Sequence, residues 1–465
     1  METLTKTKQV NLKLCRSIIR HLLPTMIITR VIWWIVLTWL KLGMHLCYGQ
    51  CVGSIFYSTC SIPIVNMTTD GGARLRKAFE AAQQVRIGKM IVSISPSGPF
   101  LQRFTSFVDS VSYLNYREAT FQVPDGNTIS EFTIWSAPEM RAFIAGSNTH
   151  IESLEISQCL LDRMPQTLPK MTKMKNLSIR QCKLTVVRLD MFADNQILKI
   201  LDLSYNQIRQ LLPATERPAR MLSIETLVLS GNLLQHLDMT DFKSMSQLLK
   251  LHVGGNLIVS LNALLPITMK NLIDFWLEAN KITALDLRNL TLPKLESLGL
   301  DGNALTRLPF LPRSLPKLNS LSLMSNNLTQ LDLSYFRPYP NLNKIDISYN
   351  QITSVRTSSP VRLSVSTLDL RYNQITTFNL TGCDTPNITL LLLGQNRLTV
   401  FPPVYEKYPN IRLSINWNFL FCDTLLYYKE KIQKYDLMVE PEPDSPTCGK
   451  TYSLQVKQIQ ECCGK

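Results

Sequence analysis

A short pattern of apolar and polar residues recurs along most of this chain of 465 residues. It reads apolar, two variable, Leu, variable, apolar, two variable, Asn or Cys, variable, apolar, and 198–208 is a clean copy. Consecutive copies lie 22 to 26 residues apart. A fixed period of this length indicates stacked coils rather than separate globular domains. The polar ninth position falls at Cys159, Cys182, Asn206, Asn232, Asn256, Asn280, Asn303, Asn326, Asn350, Asn373, Asn396 and Asn418.

The residue types of the pattern predict how each coil folds. Leu-x-Leu is typical of a short strand with two inward leucines and a solvent-facing residue between them. Stacked coils then build a parallel sheet, and a ninth-position Asn can hydrogen-bond the peptide groups exposed inside each turn. The period lies in the range of leucine-rich repeats. We therefore predict an α/β solenoid, a leucine-rich-repeat horseshoe with a parallel concave β-sheet and disulfide-stapled caps. About 12–13 units are expected over residues 129–421, including a weaker first copy at Ile129.

Cysteine takes the ninth position in the first two strong copies, at Cys159 and Cys182. A small, buriable thiol fits a place that the later copies give to Asn. We therefore expect two separate thiols here rather than a bridge or metal ligands, because a metal would need further ligands that the pattern does not supply.

Residues 1–49 have the features of a secretory signal peptide. The apolar run Val31–Leu40 is ten residues long, too short for a spanning helix of about 20 and suited to a signal core. Cleavage is expected near Gly49, with Met26 as an alternative start and an uncleaved anchor as the alternative fate. The leader carries seven basic and one acidic residue, so without it the net charge falls from +14 to +8. That balance gives no reason to expect nucleic-acid binding.

A stacked array exposes apolar surface at both ends and needs caps. We assign the front cap to residues 50–128, where Cys51 and Cys60 indicate a stapled hairpin and Ala73–Gln84 predicts a helix. The stretch from there to about Gly126 has no clear pattern. The rear cap spans residues 422–465.

The rear cap combines a helix with cysteines. A helix is predicted from Asp423 to about Lys434. A bridge between Cys422 and Cys448 would stabilise the cap by roughly 3 kcal/mol in the chain-entropy model.

Nine cysteines follow the leader, an odd number, so at least one pairs with another chain or stays free. The adjacent Cys462 and Cys463 would be strained if bonded to each other. One of them is therefore the candidate for an inter-chain disulfide. The alternative is a bond back to Cys448 or Cys383.

Six sequons are candidates for N-glycosylation in a secreted chain. The sixth, Asn176, falls on a predicted strand and is not expected to carry sugar. The other five are Asn66, Asn289, Asn327, Asn379 and Asn387.

A partner-binding surface is predicted on the concave face, meaning the solvent-facing side of the large parallel sheet. Val228, His252 and Trp276 occupy the outward strand position of three consecutive copies, about 5 Å apart, and Glu278 adjoins them. An aromatic-centred patch is typical of a binding hot spot. The alternative is that Trp276 packs locally or lies under a loop.

A second candidate set comes from the position just before the ninth. This set either joins the partner-binding surface or covers the edge of the Asn stack. Its members are Tyr205, Tyr349, Tyr372 and Trp417.

Catalytic, metal and cofactor sites find no support in the motifs. Only three histidines follow the leader, and the chain has no H-E-x-x-H, no G-x-S-x-G and no phosphate loop. Asp346 and Asp369 share one row but are expected to solvate their strands. We therefore expect a binding protein rather than an enzyme.

The leader, the stapled front segment, the repeats, the cysteine-bearing helical cap and Glu461-Cys462-Cys463 together resemble the mosquito leucine-rich-repeat immune proteins. The resemblance implies secretion into haemolymph, an inter-chain disulfide through Cys462 or Cys463 to another leucine-rich-repeat chain, and carriage of complement-like thioester proteins. Long members continue into a coiled coil, whereas this chain stops at Lys465. It therefore resembles a coil-less member.

These features predict a secreted, glycosylated binding protein of innate immunity. Its concave face would recognise an extracellular protein or a microbial surface, and no membrane span is expected after signal cleavage. The alternatives are a matrix or cell-surface adhesion protein and an inhibitor that docks on an enzyme.

Overall fold

The computed structural model describes residues 50–439 apart from 55–56, 83, 94–95, 147, 149, 214–220, 264 and 421. The predicted signal peptide, Cys448, Cys462 and Cys463 therefore lie outside the described residues. The chain forms two compact units, one ending at Gly88 and the other beginning at Lys89.

The first unit contains an antiparallel hairpin of strands Gln50–Ser54 and Tyr57–Asn66. Its register places Cys51 opposite Cys60. Cys60 is buried and disulfide-bonded. The backbone of this segment therefore has the hairpin form that the two cysteines predict.

A helix, Gly71–Ala81, follows the hairpin close to the predicted position. It begins against the hairpin, because a Cβ on Gly71 would lie 2.4 Å from the carbonyl oxygen of Asn66. Only glycine allows so close an approach. The next strand, Gln84–Val92, contains the boundary between the two units.

The second unit is organised around a long sheet in which every neighbouring pair of strands is parallel. One strand comes from each coil, as the Leu-x-Leu pattern predicts. In chain order the strands are Val108–Tyr113, Glu131–Ile134, Ser153–Ser157, Asn176–Arg180, Ile200–Asp202, Thr226–Val228, Lys250–His252, Asp274–Trp276, Ser297–Gly299, Ser320–Ser322, Lys344–Asp346, Thr367–Asp369, Leu390–Leu392, Arg412–Ser414 and Leu437–Met438.

The core lies between this sheet and the outer side of the coils. Leu201 and Leu203 are fully buried, whereas Asp202 between them is half-exposed. Later coils repeat this alternation at equivalent positions. The leucines therefore form one continuous interior that no single coil could enclose alone.

The sheet begins earlier in the sequence than the clear repeats do. Strand Val108–Tyr113 pairs in parallel with Glu131–Ile134. Its coil is filled by aromatic rings instead of leucines, with Tyr113, Tyr116 and Phe121 packed at centroid distances of 5.0 to 5.4 Å. A short helix, Gly98–Gln102, precedes this strand.

The outer side of the coils consists of short strand pairs and 3₁₀ turns. The 3₁₀ turns are Leu168–Lys170, Leu189–Phe192, Met239–Phe242 and Leu333–Phe336. The outer strands pair as Thr120–Gln122 with Ala142–Ile144, Val186–Arg188 with Gln210–Leu212, His236–Asp238 with Ser260–Asn262, Ile267–Thr268 with Leu290–Thr291, Gln330–Asp332 with Ser354–Arg356, and Val361–Arg362 with Cys383–Asp384.

The last described coil is followed by two short helices, Cys422–Tyr427 and Lys429–Gln433. They occupy the region where one helix is predicted. Strand Leu437–Met438 then pairs with Arg412–Ser414 and extends the sheet. The tyrosine ring of Tyr428 stacks on Phe401 at 4.1 Å and closes this end of the core.

The ninth-position asparagines form the predicted ladder from Asn206 to Asn418. In the coil of Asn232, Nδ2 donates to Leu203 O at 3.0 Å and Leu229 O at 2.9 Å, while Oδ1 accepts from Ile208 N at 3.0 Å. Each Asn thus satisfies buried peptide groups of its own coil and of the preceding one. The same contacts recur down the stack.

The residue just before each ladder position has a left-handed backbone. Its φ lies between 51° and 56° at the non-glycine positions, and three coils use Gly231, Gly255 and Gly302 there. This turn aims the Asn side chain into the coil. It also explains why the residues of the second candidate set stand outside the core.

The expectation of separate thiols at Cys159 and Cys182 is wrong, because the two residues form a disulfide. Equivalent positions of neighbouring parallel strands lie close together, and the Cα atoms here are 4.5 Å apart, within the range that a disulfide spans. Cysteine at two successive ladder places therefore joins the coils covalently where later coils use Asn.

Cys383 is buried and is the free cysteine of the described residues. Burial raises the pKa of its thiol to about 11. A free thiol at this position accounts for the odd cysteine count. Of the two explanations that the odd count allows, a free cysteine and an inter-chain bond, the first is therefore met by Cys383.

Candidate partner-binding face

The strand register brings the outward strand residues of successive coils into one row along the concave face. Neighbours in this row are direct register partners, which agrees with the alignment of the sequence copies. From front to rear the row is Thr133, Glu155, Ser178, Asp202, Val228, His252, Trp276, Gly299, Ser322, Asp346, Asp369, Leu392 and Ser414.

The predicted patch of Val228, His252 and Trp276 is contiguous. The imidazole of His252 stacks on the indole of Trp276, with ring centroids 5.1 Å apart and planes inclined by 27°. Trp276 nevertheless keeps 44% of its surface exposed. This stack holds a large apolar ring upright on the sheet with little conformational freedom left to lose on binding.

Glu278 lies beside the stack. Its side chain leans over Gly254, where a Cβ would come within 2.2 Å of Oε1. Within the described part of the chain, Glu278 Oε2 and His252 Nε2 are buried and have no hydrogen-bond partner. Burial lowers the pKa of the His252 imidazole, and the negative charge of Glu278 partly opposes that shift.

A second row of carboxylates and small residues runs parallel to the first. Asp301 accepts hydrogen bonds from the Ser322 hydroxyl and from Met324 N. Burial raises the pKa of its carboxyl group. Arg371 occupies the second row and pairs with Asp369 of the first row, with contacts of 3.0 and 2.6 Å.

The second candidate set is spread over several coils, with Trp417 two coils beyond Tyr372. Tyr349 and Tyr372 stack face to face with centroids 4.0 Å apart. Tyr205 stands far from them with its ring over Gly231, whose Cβ would lie 2.6 Å from that ring. The structure therefore brings two of these tyrosines together but does not unite the set with Trp276.

A cleft of about 380 Å³ lies nearer the front of the concave face. Exposed Trp135 and Leu114 form its apolar wall, and Glu155 and Arg180 form a hydrogen-bonded pair on the other side. Sequence reasoning missed it because Trp135 lies in the weakest copy. Trp135 could have been assigned to the concave face from the sequence, because it lies two residues before the ninth position of that copy.

The five predicted glycosylation sites differ little in accessibility. Asn66 is half-exposed and the other four are exposed. The side chain of Asn289 donates to Ala263 O, and that of Asn379 accepts from Thr381. All five are accessible from solvent on at least one side.

Among the described residues, no group of three or more His, Cys, Asp or Glu side chains is arranged to hold a metal ion. No helix in the same part of the chain combines the length and apolarity needed to cross a membrane.

Comparison with known proteins agrees with the coil architecture. A family model described as leucine rich repeat matches residues 172–216, 316–375 and 340–398. The fold is a leucine-rich-repeat solenoid. No curated protein sequence matches the chain at a significant level.

Several solved structures are similar to this chain at low sequence identity. The leucine-rich-repeat domain of the mosquito protein APL1 is 16% identical, with a TM-score of 0.51, covering 83% of this chain and 98% of that one. The LRIM1/APL1C complex matches at 16% identity and a TM-score of 0.50, covering 86% and 72%. YopM, a leucine-rich effector protein from Yersinia pestis, matches at 20% identity and a TM-score of 0.49, covering 67% of this chain and 78% of that one. Leucine-rich-repeat solenoids are typically scaffolds for protein interaction.

Proposed function

We propose that this chain is a secreted leucine-rich-repeat protein of innate immunity that binds an extracellular protein through the concave face around Trp276. The observation that carries the proposal is the His252–Trp276 stack, which leaves a large indole exposed and rigid on the sheet. Aromatic anchors of this kind dominate binding energy at protein interfaces.

The neighbouring residues favour a protein partner. Val228 adds apolar surface on one side, and Gly299 leaves space on the other. A mixed surface of one aromatic ring, small residues and carboxylates is suited to a complementary protein surface with an anchor pocket and a polar rim.

The immune role is the more specific part of the proposal, and it rests on the likeness to the mosquito immune proteins. By analogy with the LRIM1/APL1C complex, a second leucine-rich-repeat chain is a proposed partner, linked through Cys462 or Cys463. A complement-like thioester protein is the proposed cargo. Glycosylation at the predicted sequons would leave the row around Trp276 free.

Capture from extracellular fluid tests the proposal. Immobilised wild-type protein is compared with Trp276→Ala and with Leu265→Ala, which removes an exposed apolar side chain that lies outside the strand row. Loss of an anchor costs about 2 kcal/mol or more, so we expect binding to the captured partner to fall at least about thirtyfold for Trp276→Ala. Equal capture by all three proteins would contradict the proposal.

The covalent link has its own test. On a non-reducing gel the wild type should migrate as a disulfide-linked species, and Cys463→Ser combined with Cys462→Ser should migrate as a monomer. A wild-type band that does not change when reductant is added would contradict the inter-chain disulfide. That result would not bear on the proposed binding face.

A further inference from the structure

One face of the Trp276 ring is covered, because His252 on the preceding strand stacks against it. The ring nevertheless keeps 44% of its surface exposed. On the next two strands the register partners are only Gly299 and Ser322. These small residues leave a recess beside the indole, and we call the recess and its bordering carboxylates, Glu278 and Asp301, the Trp276 notch.

The notch has room for a flat side chain. From Trp276 the row passes through Gly299 and Ser322 before it reaches Asp346, the next long side chain. Three strand spacings correspond to about 14 Å between the backbones of Trp276 and Asp346.

Packing does not force glycine at position 299. A Cβ there would lie 3.9 Å from Glu278 Oε2 and 4.0 Å from Trp276 Cγ, which is ordinary van der Waals contact. Gly254 is different, because its Cβ would meet Glu278 Oε1 at 2.2 Å. A small side chain at position 299 would therefore fit without displacing its neighbours, which is not so at Gly254.

The charge at the border of the notch is negative and is not neutralised. In the described part of the chain, neither Glu278 nor Asp301 has a basic side chain within ion-pair distance. Two cations of nearby coils pair with other carboxylates, Lys250 with Asp274 at 3.3 Å and Arg371 with Asp369. Because the chain without its leader still carries a net charge of +8, an acidic border here is not a general property of its surface.

We propose that the Trp276 notch binds an arginine side chain from a basic segment of the extracellular partner. The planar guanidinium stacks on the exposed indole and donates charge-assisted hydrogen bonds to Glu278 and Asp301. A lysine ammonium meets the same charge but does not match the flat ring, and an acidic segment is repelled. This inference rests on the proposed function and adds the chemistry of the partner.

Fluorescence anisotropy of labelled octa-arginine, with octa-citrulline as the neutral peptide of the same shape, tests the proposal on the full chain. Gly299→Leu fills the notch without changing charge, and Glu278→Gln removes one charge without filling it. Ser178→Leu is the matched control, because it places the same bulk in the same row between Glu155 and Asp202, away from Trp276.

We expect octa-arginine to bind at least about tenfold more tightly than octa-citrulline. Gly299→Leu and Glu278→Gln should each weaken octa-arginine binding about five- to tenfold, the size of one cation–π contact or one charged hydrogen bond. Ser178→Leu should change it less than twofold. Circular dichroism checks that each variant is folded, and Glu278→Gln keeps the test valid if Gly299→Leu is not.

Equal binding of the two peptides, or equal binding of octa-arginine by folded Gly299→Leu, folded Glu278→Gln and wild type, overturns the inference. Capture of the extracellular partner separates this failure from that of the proposed function. If capture of the partner is weakened by Trp276→Ala but not by Gly299→Leu or Glu278→Gln, the binding face is supported and the arginine site is contradicted. If Trp276→Ala does not weaken capture, the binding face itself is contradicted.

Discussion

Replacing one ladder asparagine with alanine tests the physical basis of the fold. Asn280 is buried at the centre of the stack. Its Nδ2 donates to Val253 O at 3.1 Å and Leu277 O at 2.9 Å, and its Oδ1 accepts from Ile258 N at 3.1 Å. A longer bond runs from Nδ2 to Glu278 O at 3.2 Å. Asn280→Ala removes all four bonds at once, and the site is buried from water.

The contacts that remain decide the magnitude. Val253 O and Leu277 O still accept from Asn256 at 2.9 Å and Asn303 at 3.0 Å, so both carbonyls keep a partner. The amide of Ile258 loses its acceptor, and an unsatisfied buried amide costs about 1–3 kcal/mol. With about 1 kcal/mol for the lost donors, we expect Asn280→Ala to lower the free energy of unfolding by about 2–4 kcal/mol.

Urea unfolding, monitored by circular dichroism, measures this change. Both the midpoint and the slope of the unfolding curve are compared, because a repeat array need not unfold in a two-state transition. Asn341→Ala is the control, since this exposed Asn makes a single bond to Pro316 O and should cost less than about 0.5 kcal/mol. A cost for Asn280→Ala no larger than for Asn341→Ala would refute the ladder reasoning.

Three further outcomes are expected. Changing Cys159 and Cys182 together to serine should lower the free energy of unfolding by about 3 kcal/mol, from the loop that their disulfide closes, and reductant should then have no further effect through this bond. Ala279→Gly should stabilise the protein by up to about 1 kcal/mol and raise its thermal midpoint, because glycine adopts the left-handed φ of 51° at this position without the steric cost that alanine has; a lower midpoint would contradict this prediction. Burial and the nearby charge of Asp238 raise the pKa of Asp241 to about 6, so the folded state binds a proton more readily than the unfolded one. The wild type should therefore gain stability from this group as pH falls through about 6 towards 4, and Asp241→Asn should be more stable at pH 7.5 and lack that gain; identical pH profiles would refute it.

The repeating part of the fold was predictable because its chemistry is local. Inward leucines and ladder asparagines occupy fixed places within one coil, so the register of Val228, His252 and Trp276 follows from aligning the copies. The front coil escaped prediction because Tyr116 takes the ladder place and aromatic rings replace leucines. No leucine period marks such a coil.

Contacts between neighbouring coils were harder to predict than contacts within one. The Cys159–Cys182 bond depends on the distance between equivalent places of adjacent strands, which the pattern of one copy does not express. The notch depends on the lack of a side chain at Gly299, and a search for functional side chains passes over such a position. Trp276 itself was identifiable, but the ring face that His252 covers was not.

The ladder bonds have a consequence for how the molecule can change size. Asn232 bonds its own coil and the one before it, and reaches no further. A duplicated coil would bring its own Asn, satisfy its predecessor and offer the same carbonyls to its successor. Lengthening by one whole turn would therefore leave every peptide group paired and move Trp276 and Tyr349 about 5 Å further apart if inserted between them. The spacing of contact points along this surface can be adjusted in steps of one turn without inventing a new interior.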